Sequence, residues 1–149
     1  MFAHTIKGIL AEKGRQVWSV SPETRVYDAL ALMAEKDVGA LVVVADGKPV
    51  GVFSERDYAR KVILHGKSSK ELHVREIMSS PVLSVTPQQT VDECMTLMTR
   101  SHVRHLPVLE DGQVIGIVTI GDMVKWIITA QKDAINQLEN YIRGGGQPS

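Results

Sequence analysis

Cysteine is nearly missing from this 149-residue chain. Cys94 stands alone, so no internal disulfide can form, and a reducing cytoplasm is the expected setting. An excess of either charge is missing too: 17 basic residues face 17 acidic ones, which argues against bulk nucleic acid or anionic membrane as a partner. No apolar run approaches the roughly 20 residues that a membrane-spanning helix needs. The opening stretch, residues 1–16, lacks an apolar signal core and a small-residue cleavage site, so no signal peptide is expected. The histidines at 4, 65, 73, 102 and 105 form no HxH or HExxH spacing, and with one cysteine no zinc pattern arises. The phosphate-loop pattern GxxxxGK[ST] does not occur either.

What the chain does contain is a repetition. Residues 17–62 align without a gap on residues 82–127 at a constant offset of 65 positions. Val20/Val85, Pro22/Pro87, Val26/Val91, Met33/Met98, Val38/Val103 and Leu41/Leu106 are identical pairs, as are Asp46/Asp111, Gly47/Gly112, Gly51/Gly116 and Asp57/Asp122. So long a period points to two small α/β modules in tandem and excludes a short solenoid unit.

Each copy opens with an extended piece ending in Ser21-Pro22 or Thr86-Pro87, where proline disfavours helix at the residue before it. Val26, Leu30 and Met33, like Val91, Met95 and Met98, recur at helical spacing. Thr90 to Glu93 has the form of a capping box, while Arg25 and Asp28 make the first helix start less clear. Branched residues then flank Asp46-Gly47 and Asp111-Gly112, a hairpin signal in both copies. Helices are expected from Arg56 to Leu64 and from Asp122 to about Ile142, the latter stopped by Gly144-Gly145-Gly146. The predicted order is strand, helix, strand, strand, helix, twice. Residues 1–16 read as a lead-in, 17–65 as the first module, 66–81 as linker and lead-in, 82–128 as the second module, and 129–149 as a helical extension with a tail.

Each hairpin ends in hydroxyl-x-x-Asp: Ser54-Glu55-Arg56-Asp57 and Thr119-Ile120-Gly121-Asp122. At a strand-to-helix junction, free N–H groups attract phosphate, and an ionised carboxylate can accept two hydrogen bonds from a ribose diol. The same residues are also common helix caps. Recurrence at equivalent places favours binding, and one side chain can do both. The glycines at 51 and 116 are expected to serve close packing.

The pattern GVFSERD at 51–57, GIVTIGD at 116–122 and HLPV at 105–108 resembles a pair of CBS domains, named after cystathionine β-synthase, over nearly the whole chain. The resemblance implies an α+β fold: two β-α-β-β-α modules packed about a pseudo-twofold axis, the arrangement called a Bateman module. It further implies adenosine-containing ligands between the repeats (AMP, ADP or ATP, with NAD or S-adenosylmethionine also possible) and a homodimer. Asp57 and Asp122 match the ribose-binding aspartates, and Ser54 and Thr119 their hydroxyl companions; Glu55 and Ile120 lie in the same turns. Val38, Gly39 and Ala40 match the strand lining the base pocket, as do Arg104, His105, Leu106 and Pro107. Ile77 and Met78 match residues that flank adenine. Lys7 and Ile9 are their counterparts in a first lead-in that is three residues longer.

The two sites are expected to differ. Arg56 faces Gly121 across the alignment, and Arg104 and His105 face Gly39 and Ala40. Both arginines suit phosphate, and both also suit plain solvation. Cys94 reads as a small core residue. Met123, Trp126, Ile127, Ala130, Ala134, Leu138 and Ile142 form a stripe that outlasts the module; it folds back on the chain or packs on a second copy. Three function classes follow. The leading one is a stand-alone, non-catalytic sensor of cellular energy or redox state that acts on a dimer or a protein partner. The others are a ligand-free scaffold and a small nucleotide-processing enzyme.

Overall fold

Both Asp-Gly pairs form the turn that the hairpin pattern demands. Asp46 and Gly47 have φ of 51° and 76°, and Asp111 and Gly112 have 53° and 76°. Positive φ at both central positions matches the right-handed twist of the strands they join. The computed structural model describes residues 5–145. In the first repeat β1 (Ser19–Val20) runs parallel to β2 (Ala40–Ala45), which pairs antiparallel with β3 (Lys48–Ser54). In the second, β4 (His105–Glu110) pairs antiparallel with β5 (Gln113–Thr119). The pairing register shifts at matching places, Val43/Val44 and Val108/Leu109.

Helices α2 (Val26–Lys36) and α4 (Val91–Ser101) precede the hairpins. The Thr90–Glu93 capping box opens α4, whereas Arg25 opens α2 without a side-chain cap. Both helices end in a left-handed residue, Asp37 or His102. After the hairpins, α3 (Glu55–Tyr58) widens into a π turn over Ala59–Ile63, while α5 (Ile120–Asn140) runs on continuously and widens only at Tyr141–Gly145. Gly146 of the expected helix stop and His4 lie outside the described residues.

One expected strand is reduced. The twin of β1 is a single bridge, Val85 to Val108. In the first repeat the Val42 N–H donates to the Trp18 carbonyl at 3.1 Å. The residue equivalent to Val42 is Pro107, which has no N–H to give, so the second parallel ladder stops short.

The two hydrophobic cores exchange their lead-ins. Helix α1 (Ile6–Lys13) buries Ile6, Ile9 and Leu10 in the core of the second repeat, beside Val91, Cys94 and Leu106. Val74 and Ile77, from the lead-in to the second repeat, are buried in the first, beside Val26, Leu41 and Phe53. The backbone bonds repeat this crossing. Ile6 and Lys7 donate to the carbonyls of Gln89 and Pro87, and Val74 and Arg75 to those of Thr24 and Pro22. The glycines make it possible. A Cβ on Gly116 would lie 2.7 Å from Leu10 Cδ2, and one on Gly51 would lie 2.9 Å from Met78 Sδ and 2.8 Å from the Ser79 carbonyl. Full burial of an exchanged side chain such as Ile6 or Val74 contributes about 1.5–3 kcal/mol, so the exchange ties each repeat energetically to the other.

Candidate functional site between the repeats

The hydroxyl-x-x-Asp turns are capping boxes in both copies. The Ser54 N–H donates to Asp57 Oδ2 at 3.0 Å, and the Asp57 N–H donates to Ser54 Oγ at 3.2 Å. The Thr119 N–H donates to Asp122 Oδ2 at 2.8 Å, and the Asp122 N–H donates to Thr119 Oγ1 at 3.1 Å. Capping fixes each carboxylate at the strand-to-helix corner. The cap leaves Oδ1 of Asp57 to other partners.

The surroundings of the two aspartates differ. Asp57 is buried, 7% exposed. Its Oδ1 accepts from Ser79 Oγ at 3.0 Å and pairs with Lys61 Nζ at 3.2 Å; that ammonium also donates to the Ile77 carbonyl at 3.0 Å. Trp126 stands where the first repeat has Lys61, and Asp122 draws its lysine from α1 instead. Lys13 Nζ lies 2.6 Å from Asp122 Oδ2 and donates to the Ile117 carbonyl at 2.9 Å.

Asp57 borders a cavity of ≈580 Å³ to which both repeats contribute. Ser54, Glu55 and Arg56 line it from one side and Arg104 and His105 from the other, with Gly39 between. Gly39 is crowded from both repeats: a Cβ there would lie 2.9 Å from Glu55 Oε1 and 3.3 Å from His105 Nε2. Arg56 spans the cleft and donates to the His102 carbonyl at 3.3 Å. Burial, followed by the Lys13 charge, pushes the His105 pKa below its ordinary value, so the imidazole favours its neutral form. A second cavity of ≈340 Å³ lies at Asp122, lined by Ile9, Lys13, Lys125 and Trp126.

Other sequence candidates lie elsewhere. Ala40, Leu106 and Pro107 are buried in the strands, and Val38 packs against the first core. Ile77 is a core residue and Met78 packs against Gly51, so neither lines the larger cavity; Thr119, Ile120 and Gly121 do not line the smaller one. Lys7 is exposed. The sequence reading missed Ser79, Arg60, Lys61 and Lys13. Lys61 follows Asp57 by four positions, a spacing that signals an ion pair on one helical face. Cys94 is buried, and burial, then Glu93, pushes its thiol up to about 11; it is a core residue and not a nucleophile. Among the described residues no group of His, Cys, Asp or Glu is placed to hold a metal, and no helix is long and apolar enough to cross a membrane.

Comparison with known proteins agrees with the duplication. The CBS domain family matches residues 13–63 and again 74–129. The mitochondrial CBS domain-containing protein CBSX3 of Arabidopsis thaliana is 39% identical over 95% of this chain and 73% of its own length. A putative signal-transduction protein with CBS domains from Burkholderia ambifaria superposes with a TM-score of 0.81 at 49% identity, over 85% of this chain and 96% of that one. At 22% identity, over 87% of this chain and 99% of the other, a CBS domain pair solved with 5′-methylthioadenosine and S-adenosyl-L-methionine shares the fold with a TM-score of 0.75.

Proposed function

The chain belongs to the CBS domain family and carries two of the domains in tandem, and from that premise we propose a regulatory, non-catalytic module that binds an adenosine-containing nucleotide at Asp57. The observation that carries this reading is a buried carboxylate, fixed by its own cap, at the edge of a ≈580 Å³ cavity shared by both repeats. That volume falls within the range of small-molecule sites. A ribose diol would replace Ser79 and Lys61 at Oδ1, exchanging two hydrogen-bonded partners for two others. The released Lys61 ammonium would then stand beside whatever the ribose carries.

Because both repeats line the cleft, a ligand held there favours one relative placement of the two over another. Its effect is limited to its difference in affinity between those placements. The output passes to a second copy of the chain or to a protein partner, in the cytoplasm, and reports energy or redox state through AMP, ADP, ATP or NAD. The exposed apolar stripe on α5 is the homodimer surface in this reading.

Calorimetric titration of AMP, ATP and NAD tests it. The Asp57→Ala variant should bind about 1–3 kcal/mol more weakly than the parent, the scale of lost charged hydrogen bonds. Undiminished affinity in Asp57→Ala and Asp122→Ala, singly and together, would remove the aspartates from the site.

A further inference from the structure

Four cations line the larger cavity: Arg56, Arg60 and Lys61 from the first repeat and Arg104 from the second. Against them stand Glu55 and Asp57, which leaves the cavity two positive charges in excess on a chain whose total is zero. Neutral His105 adds none. In the smaller cavity Lys13 and Lys125 are balanced by Glu12 and Asp122. The alignment shows where the difference arises. The positions equivalent to Arg56, Arg60, Lys61 and Arg104 hold Gly121, Lys125, Trp126 and Gly39, so three of the four cations have no counterpart.

We propose that the larger cleft selects adenosine ligands bearing a polyanionic tail, a di- or triphosphate, and that the smaller cleft does not. The proposal rests on the nucleotide reading of Asp57 given above. With Lys61 paired to Asp57, three guanidinium groups share one concave space with only Glu55 to offset them, and an anion between them relieves their repulsion. Guanidinium groups suit phosphate oxygens, because they donate two parallel bonds in a plane. Arg56 already reaches across the cleft to the His102 carbonyl, two residues from Arg104. A phosphate chain beside it is therefore gripped from both repeats. An adenosine ligand with a neutral thioether or a cationic sulfonium gains nothing from these groups, and the sulfonium is repelled. Each cleft commits one lysine to its aspartate, Lys61 to Asp57 and Lys13 to Asp122, so the surplus of the larger cleft rests on Arg56, Arg60 and Arg104 against Glu55, while Lys125 in the smaller one is offset by Glu12.

Calorimetry with adenosine, AMP, ADP, ATP and S-adenosylmethionine decides the matter. Affinity should climb with each added phosphate and flatten in high salt, with S-adenosylmethionine no tighter than adenosine. Arg56→Gln and Arg104→Gln should each weaken ATP about tenfold, the scale of one charge-assisted hydrogen bond, and leave adenosine unchanged. The ladder should persist in Asp122→Ala and vanish in Asp57→Ala. If adenosine binds but the ladder is flat, or if both arginine variants lose adenosine and ATP in parallel, selection by charge is overturned while the nucleotide site stands. If no member of the series binds, the reading of Asp57 itself falls.

Discussion

Lys13 and Asp122 lie 109 positions apart in sequence, and their charged groups meet at 2.6 Å. The pair fastens the C-terminal end of α1 to the first turn of α5, across a boundary that the repeat pattern does not reveal.

Replacing Lys13 by Met should cost less than about 1 kcal/mol, because the partners are 32% and 22% exposed and water screens them. The loss should shrink as salt rises. Urea unfolding of both proteins at low and high ionic strength checks this, and a cost near 3 kcal/mol would show the pair to be far better shielded.

Gly51→Ala should destabilise more than Gly116→Ala. The new methyl at 51 meets the Ser79 backbone carbonyl at 2.8 Å, which cannot move without shifting the lead-in, whereas at 116 it meets the end of the flexible Leu10 side chain at 2.7 Å. Overpacking of this kind costs about 1–3 kcal/mol. Thermal unfolding of the two variants should rank them in that order, and Leu10→Ala should cost less in the Gly116→Ala background than in the parent or in Gly51→Ala.

His105 should make stability depend on pH below neutrality. Its folded-state pKa is depressed from 6.5, by burial first and then by Lys13. The unfolded chain therefore takes up a proton at a higher pH than the folded one. The contribution of the neutral ring is complete above about pH 6.5 and is lost as pH falls below it. Unfolding measured from pH 7.5 to 5 should show a shallower decline in His105→Gln than in the parent; equal slopes would refute the assignment.

The exposed end of α5 supplies another test. Every residue from 131 to 143 is exposed, with Leu138 at 59% and Ile142 at 72%. If a second copy covers this stripe, as proposed, Leu138→Glu with Ile142→Glu should convert a dimer into a monomer in light scattering. The melting point of the dilute protein should barely change, since neither side chain belongs to a core.

Features set by neighbours in sequence were legible before the structure. The Asp-Gly turns, the Thr90 cap and both hydroxyl-x-x-Asp corners each depend on residues within three positions of one another. Features that depend on long-range approach were not. Nothing in Lys13 announces Asp122, and the identity of Gly51 with Gly116 signalled close packing without saying that Met78 and Leu10 would fill the space. The resemblance matches Ile77 and Met78 to residues that flank adenine; the exchange of lead-ins packs Ile77 into the first core and Met78 onto Gly51. The shortened ladder at Val85 was readable in principle, since Pro107 stands in the sequence at the donor position.

The crossing of the lead-ins makes the two halves mutually dependent. Cut between them, the first half would carry off α1, whose apolar side belongs to the other core, and would forfeit Val74 and Ile77 from its own. Neither fragment would then be a self-sufficient folding unit. The duplicated gene product thus behaves as one cooperative body, and a strain imposed on either half is felt by both.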